Sequence, residues 1–179
     1  MLVIVGPSAS GKTQIVQELI KTYHMEKLVT YTSRAPRVNE VEGRDYHFIS
    51  KDDFEEKIKN NFFIEYVNYN NNYYGTSFSD LGENKVVILE PSGLKHYIAY
   101  ARNEVVIVYL KCSKEVLRLR MLKRLDKEGD IKVRLNSDDL VFNEEVMKLA
   151  DKVIDTTPSN IYDDAKKIYE YYKKVKNEK

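Results

Sequence analysis

Residues 6–13 read "GPSASGKT" and match the pattern G-x-x-x-x-G-K-[ST]. The apolar run "LVIV" (Leu2–Val5) precedes them, and an amphipathic helical pattern begins at Lys12. In this strand–loop–helix setting the glycines let backbone N–H groups point inward, and the helix N-terminus adds positive potential for a phosphate. The motif therefore predicts a nucleoside triphosphate site, in which Lys12 reaches the terminal phosphates and the Thr13 hydroxyl binds Mg²⁺. The residues that we expect at the triphosphate are Gly6, Ser8, Ala9, Ser10, Gly11, Lys12 and Thr13.

Three further apolar runs indicate the sheet to which this loop belongs. They are "VVIL" (Val86–Leu89), "VVIVYL" (Val105–Leu110) and "KVI" (Lys152–Ile154). Continuous β-branched runs are typical of strands buried on both faces, as in a parallel sheet. Amphipathic helical patterns separate the runs, and Ser113 and Ser159 can cap two of these helices. The sequence thus predicts an α/β fold in which helices flank a parallel sheet.

Composition limits the classes of partner. The chain has 179 residues, of which 42% are hydrophobic, and its 29 basic and 28 acidic residues give a net charge of +1. This balance argues against a general nucleic-acid binder and leaves room for a locally basic cleft. The single cysteine, Cys112, excludes an internal disulfide and fits a reducing compartment. No apolar run approaches the roughly 20 residues that span a bilayer, and "MLVIVGPS" lacks the basic region of a signal peptide. We therefore expect a cytoplasmic protein with no nucleic-acid or membrane partner.

The stretch from Leu28 to Phe78 has a different character. It contains short Tyr- and Phe-rich runs and a helical pattern, "SKDDFEEKIKN", in which Ser50 is the cap and Phe54 and Ile58 face inward. It ends with "YVNYNNNYYGTS" (Tyr66–Ser77), where tyrosines favour strands and the asparagine run favours a hairpin turn. These features predict a small mixed β insertion between the first two core strands.

Two arginines mark a second candidate binding region. Arg34 and Arg37 flank Pro36 in a segment that cannot form a regular helix. Two guanidinium groups on a rigid loop suit bidentate capture of a phosphate monoester. An exposed basic loop explains the same residues equally well, so this segment alone decides nothing.

Several motifs in register make the chain resemble guanylate kinase. "GPSASGKT", "TSRAPR", E-x-x-G-R-D-Y-x-F (Glu40–Phe48), "FIEY" and "NYYGTS" occur in the order and spacing of that family. The match runs from about Leu2 to the end and is densest from Gly6 to Ser77. The resemblance implies ATP-dependent phosphorylation of GMP (or dGMP) to GDP (or dGDP) by in-line phosphoryl transfer, with Mg²⁺ as cofactor. It also implies ATP and GMP as ligands, and we expect a monomer or a homodimer.

The resemblance further implies a division of the chain. Residues 1–30 and 84–179 would form the P-loop core, and residues 31–83 the GMP-binding insertion. A helical lid would lie within the core at about residues 126–137. We expect these parts to form one compact folding unit.

Individual positions take roles from the same resemblance. The residues implied to hold the acceptor phosphate are Arg34, Arg37, Tyr46 and Tyr74. The residues implied to contact the guanine are Thr30, Glu65 and Thr76. The residues implied to act on the transferring phosphate are Lys12, Arg34, Arg120, Arg124 and Arg134.

The assignment of Glu65 is chemically sound. Guanine presents N1–H and an exocyclic amine side by side, and one carboxylate can accept hydrogen bonds from both. Adenine has an unprotonated N1 at the same place, so an ionised Glu65 would face another acceptor. A carboxylate at this position therefore favours GMP over AMP.

The chain departs from the family pattern at several positions. In "ILEPSG", Glu90 stands where the family usually has aspartate, and Ser92 replaces a glutamine. Glu90 follows a core strand, where an acidic group approaches Mg²⁺ or substrate, so we expect it at both the metal and the GMP. Ala9 stands where the family's loop usually has glycine, and the lid segment is short.

Two alternatives to a guanylate kinase remain open at this level. One is a related P-loop kinase that acts on another nucleotide or on a sugar phosphate. The other is a non-catalytic guanylate-kinase-like domain that binds protein partners. The intact P-loop favours a kinase, and Glu65, Tyr74 and Thr76 favour guanine as the acceptor base.

Overall fold

The computed structural model describes residues 1–69, 71–158 and 160–178, whose strands fall into two sheets. In chain order the strands are β1 (Leu2–Val5), β2 (Glu26–Lys27), β3 (Tyr31–Thr32), β4 (His47–Phe48), β5 (Phe63–Tyr69), β6 (Asn72–Ser77), β7 (Lys85–Ile88), β8 (Val106–Lys111) and β9 (Lys152–Asp155). The larger sheet has the order β2-β7-β1-β8-β9, and all its pairings are parallel. The predicted α/β class and parallel sheet are therefore confirmed, and the four predicted strands lie within one residue of the observed bounds. The edge strand β2 escapes sequence reasoning because its two residues are charged and exposed.

Helices cover both faces of this sheet. The helices of the described residues are α1 (Lys12–Tyr23), α2 (Lys51–Lys59), α3 (Pro91–Ala101), α4 (Lys114–Lys123), α5 (Glu128–Val141), α6 (Glu144–Lys148) and α7 (Ile161–Asn177). Leu2 and Ile4 of β1 pack in one core cluster with α1 and α7, whereas Val3 and Val5 pack in a second cluster with α3. Successive side chains of a strand point to opposite faces. The unbroken apolar run of β1 thus reflects burial on both faces.

The smaller sheet is the predicted mixed β insertion. Its order is β4-β3-β6-β5, with a parallel β3–β4 pair and antiparallel β3–β6 and β5–β6 pairs. The ring of Phe54, on α2, is fully buried and stacks on Phe63 and Tyr73. Asn72 pairs with Tyr69 and so belongs to β6 rather than to the predicted turn. Asn70, also predicted in that turn, lies outside the described residues.

Helix α3 connects the two sheets. Its Leu94 and Tyr97 lie in the second core cluster together with Ile64 of β5, and α3 packs directly on β5. Pro91 begins the helix at a position where its missing N–H costs no hydrogen bond. The position of the small sheet relative to the core therefore depends on this helix.

The segment 126–137, where we predicted a helical lid, contains the two residues before α5 and most of α5. Ser113 caps α4 as predicted, accepting from the Val116 N–H. The other predicted cap, Ser159, lies outside the described residues, and Asn160 caps α7 instead. No helix in the described ranges is long and apolar enough to cross a membrane.

Candidate active site

The loop after β1 curls closely against β8. A Cβ atom on Gly6 would lie 2.7 Å from the Leu110 carbonyl oxygen, so only glycine fits there. Gly11 precedes α1 with φ of 100°, a conformation that glycine adopts without strain. No side chain caps α1, and its first turn contains no acidic residue. Its first amides are therefore available to an anion, as the motif predicts.

The amine of Lys12 folds back over this loop. Its Nζ donates to the carbonyl oxygens of Gly6 at 2.5 Å and Pro7 at 2.9 Å, and it lies 5.6 Å from the centre of the Phe142 ring. Burial lowers the pKa of Lys12, an effect that the nearby charge of Glu90 partly opposes. The loop thus holds a positive charge beside its inward-facing amides.

An acidic side chain accepts a hydrogen bond from one of the backbone amides of this loop. Oδ2 of Asp138, on α5, accepts from the Ser8 N–H at 2.6 Å. The adjacent Asp139 points elsewhere and pairs with Lys114. Helix α5 therefore contacts the loop through a carboxylate at a donor that the motif offers to phosphate. Sequence reasoning missed Asp138, because nothing in "NSDD" distinguishes it from its acidic neighbour.

Three arginines predicted to act on the transferring phosphate, Arg120, Arg124 and Arg134, occupy different surroundings. Arg120 donates to the carbonyl oxygens of Ala9 at 3.2 Å and Thr156 at 2.6 Å, so it supports the loop backbone. The charge of Arg124 lies close enough to Lys12 to contribute to the lowering of its pKa. Arg134 is half-exposed and contacts Asp126 at 3.4 Å.

The predicted phosphate-monoester residues gather around Arg34. Its guanidinium donates twice to Glu40, at 2.8 and 2.9 Å, and lies 5.5 Å from the centre of the Tyr46 ring. Tyr46 and Tyr74 face each other with ring centres 6.0 Å apart. Arg37 is exposed, and its backbone N–H donates to Glu40 at 2.7 Å. Glu40, which belongs to the sequence motif but received no role, thus holds the loop together.

A cavity of about 390 Å³ lies between the small sheet and α3. Four of the predicted GMP-binding residues line it: Thr30, Glu65, Thr76 and Glu90. Glu65 Oε1 accepts from the Thr76 hydroxyl at 2.8 Å. Burial raises the pKa of Glu65, and the hydrogen bond from Thr76 partly offsets this rise. His96 also lines the cavity, but no motif pointed to it.

Glu90 links the cavity to the loop. It follows β7, precedes α3, and lines the cavity, while its carboxylate interacts electrostatically with Lys12. Although the residue is exposed overall, partial desolvation raises the pKa of its carboxyl group, and Lys12 opposes that shift. Glu90 therefore lies in the cavity and within electrostatic range of the loop lysine.

The oxygen donors at this site suit Mg²⁺. Thr13 is exposed at the start of α1, and Glu90 provides a carboxylate near Lys12. The described residues contain no cluster of three or more His, Cys, Asp or Glu that could hold a metal unaided. Mg²⁺ is usually held by one or two carboxylates together with substrate phosphates, so this sparse donor set fits the ion.

Known proteins resemble the chain over most of its length. The model of the family described as "Guanylate kinase" matches residues 1–172. The guanylate kinase of Clostridioides difficile (strain 630) is 34% identical over 172 residues, covering 86% of this chain and 84% of that protein. The guanylate kinase of Clostridium tetani (strain Massachusetts / E88) is 34% identical over 144 residues, covering 76% and 69% respectively. MAGUK p55 subfamily member 7 of Danio rerio is 42% identical over 133 residues, 69% of this chain but 23% of that protein.

A solved structure shows the same fold. The crystal structure of guanylate kinase from Anaplasma phagocytophilum matches with a TM-score of 0.67 at 22% identity, covering 98% of this chain and 85% of that chain. The five-stranded parallel sheet and the small mixed sheet thus form the architecture of that protein. From the family match over residues 1–172, the chain belongs to the guanylate kinase family.

Proposed function

We propose that the protein transfers a phosphoryl group from ATP to GMP or dGMP. The observation that carries this proposal is the cavity that Glu65 and Thr76 line together with Glu90, whose carboxylate interacts electrostatically with Lys12 of the loop. A base-binding cavity beside a triphosphate loop is what a nucleoside monophosphate kinase requires. Within this proposal, residues 31–83 bind the acceptor, residues 1–30 and 84–179 form the core, and residues 126–137 form the lid.

Base selection follows from the chemistry of Glu65. Thr76 donates to Oε1 of Glu65, and Oε2 of Glu65 lies beside Gly93, which also lines the cavity. An ionised carboxylate has only acceptors, which match guanine N1–H and its exocyclic amine. In AMP, the unprotonated N1 of adenine would face the Glu65 carboxylate, and both groups are acceptors. The charge of Glu65 would then have no donor from the base.

The acceptor phosphate is assigned to the cluster around Arg34. A guanidinium has five N–H donors. Glu40 accepts hydrogen bonds from only one nitrogen of Arg34, so other donors remain for a phosphate. Tyr46 and Tyr74 add phenolic donors, and the exposed Arg37 adds a second guanidinium. This cluster would position the acceptor oxygen rather than react with it.

No protein side chain needs to act as nucleophile. The acceptor phosphate attacks the γ-phosphorus of ATP in line, and the new P–O bond forms as the bond to ADP breaks. Lys12, Arg120 and Arg124 lie at or near the loop and neutralise negative charge. Thr13 and Glu90 would hold Mg²⁺, which supplies charge neutralisation on the phosphates when bound.

The second candidate function is a binding domain without turnover. The match to MAGUK p55 subfamily member 7 at 42% identity supports this candidate. Guanylate-kinase-like domains of some adaptor proteins bind protein partners. The occupied Ser8 amide agrees with a loop that need not bind ATP. The complete G-K-T sequence of residues 11–13 supports turnover instead.

A coupled assay of ADP formation across nucleoside monophosphates decides between these functions. We expect GMP and dGMP to be phosphorylated and AMP, CMP and UMP to be poor substrates. Lys12→Ala should abolish turnover without unfolding the protein, because Lys12 serves charge rather than packing. Turnover of another monophosphate or of a sugar phosphate in preference to GMP would replace the proposed acceptor. Absence of turnover with any acceptor would favour the binding domain.

A further inference from the structure

A chain of hydrogen bonds runs from the core to the base cavity. The Tyr97 hydroxyl, on α3, donates to Thr76 Oγ1 at 2.9 Å, and Thr76 donates to Glu65 Oε1 at 2.8 Å. Tyr97 is 0% exposed and Thr76 is 1% exposed, so solvent does not compete for either hydroxyl. Tyr97 does not line the cavity and therefore would not touch a bound base.

The proton positions in this chain follow from the ionised state of Glu65. An ionised carboxylate has no proton to give, and a threonine hydroxyl has only one. The Thr76 proton must therefore point at Glu65, which leaves Thr76 Oγ1 as an acceptor toward Tyr97. Burial raises the pKa of Tyr97, so its phenol keeps the proton that it donates. Each link in the chain thus has a single direction.

We propose that Tyr97 is a positioning residue for guanine selection, because it fixes Thr76 as a donor and so orients the Glu65 carboxylate. The inference rests on the proposed function of this cavity. Two donors in series also polarise each other, which strengthens the Thr76 bond to the charged form of Glu65. Without the Tyr97 hydroxyl, Thr76 holds the carboxylate less firmly, and protonated Glu65 becomes easier to form.

Other buried tyrosines show that this arrangement is not general. Tyr172, on α7, is 2% exposed and donates to the backbone carbonyl of Glu83 at 2.5 Å. Its hydroxyl satisfies a main-chain acceptor, and Tyr172 does not line the cavity. Tyr172→Phe is therefore the matched control for Tyr97→Phe, since each change removes one buried hydroxyl and keeps the ring.

Steady-state kinetics with GMP, AMP and ATP test the inference. We expect Tyr97→Phe to raise the GMP KM about three- to tenfold, as loss of one hydrogen bond implies, and to narrow the GMP/AMP preference by a similar factor. The ATP KM should not change. The acidic limb of kcat/KM for GMP should move to higher pH, because ionised Glu65 has lost support while the other charged groups of the cavity, His96 and Glu90, are the same in both proteins. Tyr172→Phe should leave all four quantities unchanged.

A double-mutant cycle separates positioning from packing. In a Thr76→Val background, Tyr97→Phe should have no further effect on the GMP/AMP ratio of kcat/KM. The chain of hydrogen bonds from Tyr97 to Glu65 is already broken in that background. Thr76→Ser keeps the hydroxyl and should retain the preference. If circular dichroism shows that Tyr97→Phe does not fold, Thr76→Ser and Thr76→Val still test the chain of hydrogen bonds. An equal preference for GMP over AMP in these two variants would overturn the proposal.

Two results would contradict the role of Tyr97. One is a Tyr97→Phe protein whose GMP KM and GMP/AMP ratio stay within about twofold of the parent. The other is an equal effect of Tyr97→Phe in the parent and Thr76→Val backgrounds, which would show that the ring packing matters instead. Failure of the proposed function looks different, because the parent protein itself would then show no preference for GMP over AMP.

Discussion

At the scale of single residues, Glu65 stands where its charged form is disfavoured. Burial raises its pKa, and one hydrogen bond from Thr76 opposes the rise only in part. Recognition of guanine nevertheless needs the ionised form. In the proposed function, Glu65 is therefore held in the charge state that base reading needs at a cost to the folded protein.

This cost gives a pH-dependent prediction for Glu65→Gln. The folded-state pKa of Glu65 lies above the unfolded value, so stability is lost as pH rises from the ordinary carboxyl pKa through the raised one. Glutamine cannot ionise and still accepts from Thr76. We expect Glu65→Gln to melt at a higher temperature than the parent at neutral pH, and at a similar temperature below about pH 4. The exposed Glu115→Gln, measured in parallel, should show no such difference.

The same substitution should weaken base selection, because the glutamine amide can donate to adenine N1. The GMP/AMP ratio of kcat/KM is the measurement. A Glu65→Gln protein with a higher melting temperature but an unchanged GMP/AMP ratio would mean that Glu65 does not read the base.

Leu125 illustrates backbone strain at a surface position. It follows α4 with φ of 64° and is 90% exposed. Its N–H donates to the Leu122 carbonyl and the next N–H donates to Met121, which is the Schellman arrangement that favours glycine. We expect Leu125→Gly to stabilise the protein by roughly 1 kcal/mol, because relief of the left-handed strain exceeds the added chain entropy.

Thermal unfolding checks this expectation, with a rise in Tm of about 2–4 °C. Leu140 is 79% exposed within α5, where glycine has no such benefit. Leu140→Gly should therefore destabilise the protein by about 1 kcal/mol. A loss of stability at both positions would show that the left-handed turn after α4 carries no strain.

At the scale of elements, α5 and the loop at residues 6–13 share a contact that the proposed binding of ATP would have to break. Asp138 occupies the Ser8 amide, and its charge lies near both Lys12 and Glu90. A triphosphate would need that amide and would be repelled by that carboxylate. The contact between α5 and the loop would thus compete with the proposed binding of ATP.

We expect Asp138→Ala to lower the ATP KM about three- to tenfold, because binding no longer displaces a charge-assisted hydrogen bond. The matched control is Asp139→Ala, whose carboxylate pairs with Lys114 away from the loop and should not affect ATP. Equilibrium binding of ATP to both variants gives the same comparison without turnover. Weaker ATP binding by Asp138→Ala would instead make Asp138 a residue that supports the nucleotide.

At the scale of the whole molecule, the parts that sequence reasoning predicts are those encoded locally. The run Leu2–Val5 and the motif at residues 6–13 each carry their signal within a few neighbouring residues. Their burial on both faces and their strand–loop–helix arrangement follow directly. The strand Glu26–Lys27 has no local signal, because its place at the sheet edge comes from pairing with β7.

The missed residues of the candidate site depend on contacts between distant segments. Tyr97 is one of fourteen tyrosines, and only the packing of α3 on β5 brings its hydroxyl to Thr76. Asp138 reaches Ser8 across 130 positions of the chain. Such contacts have no periodicity or spacing that a single sequence displays, so they become visible only in three dimensions.

Helix α3 has a consequence for the construction of chimaeras. Glu65 and Thr76 lie within residues 31–83, but Tyr97 lies outside that segment, on α3. A transplant of residues 31–83 into a relative's core would include Glu65 and Thr76, the pair proposed to read the base. It would not include Tyr97, whose hydroxyl donates to Thr76. The hybrid should bind GMP with reduced discrimination unless the host also supplies a tyrosine at the position of Tyr97. On this proposal, acceptor preference cannot be moved to a relative by exchanging one contiguous segment.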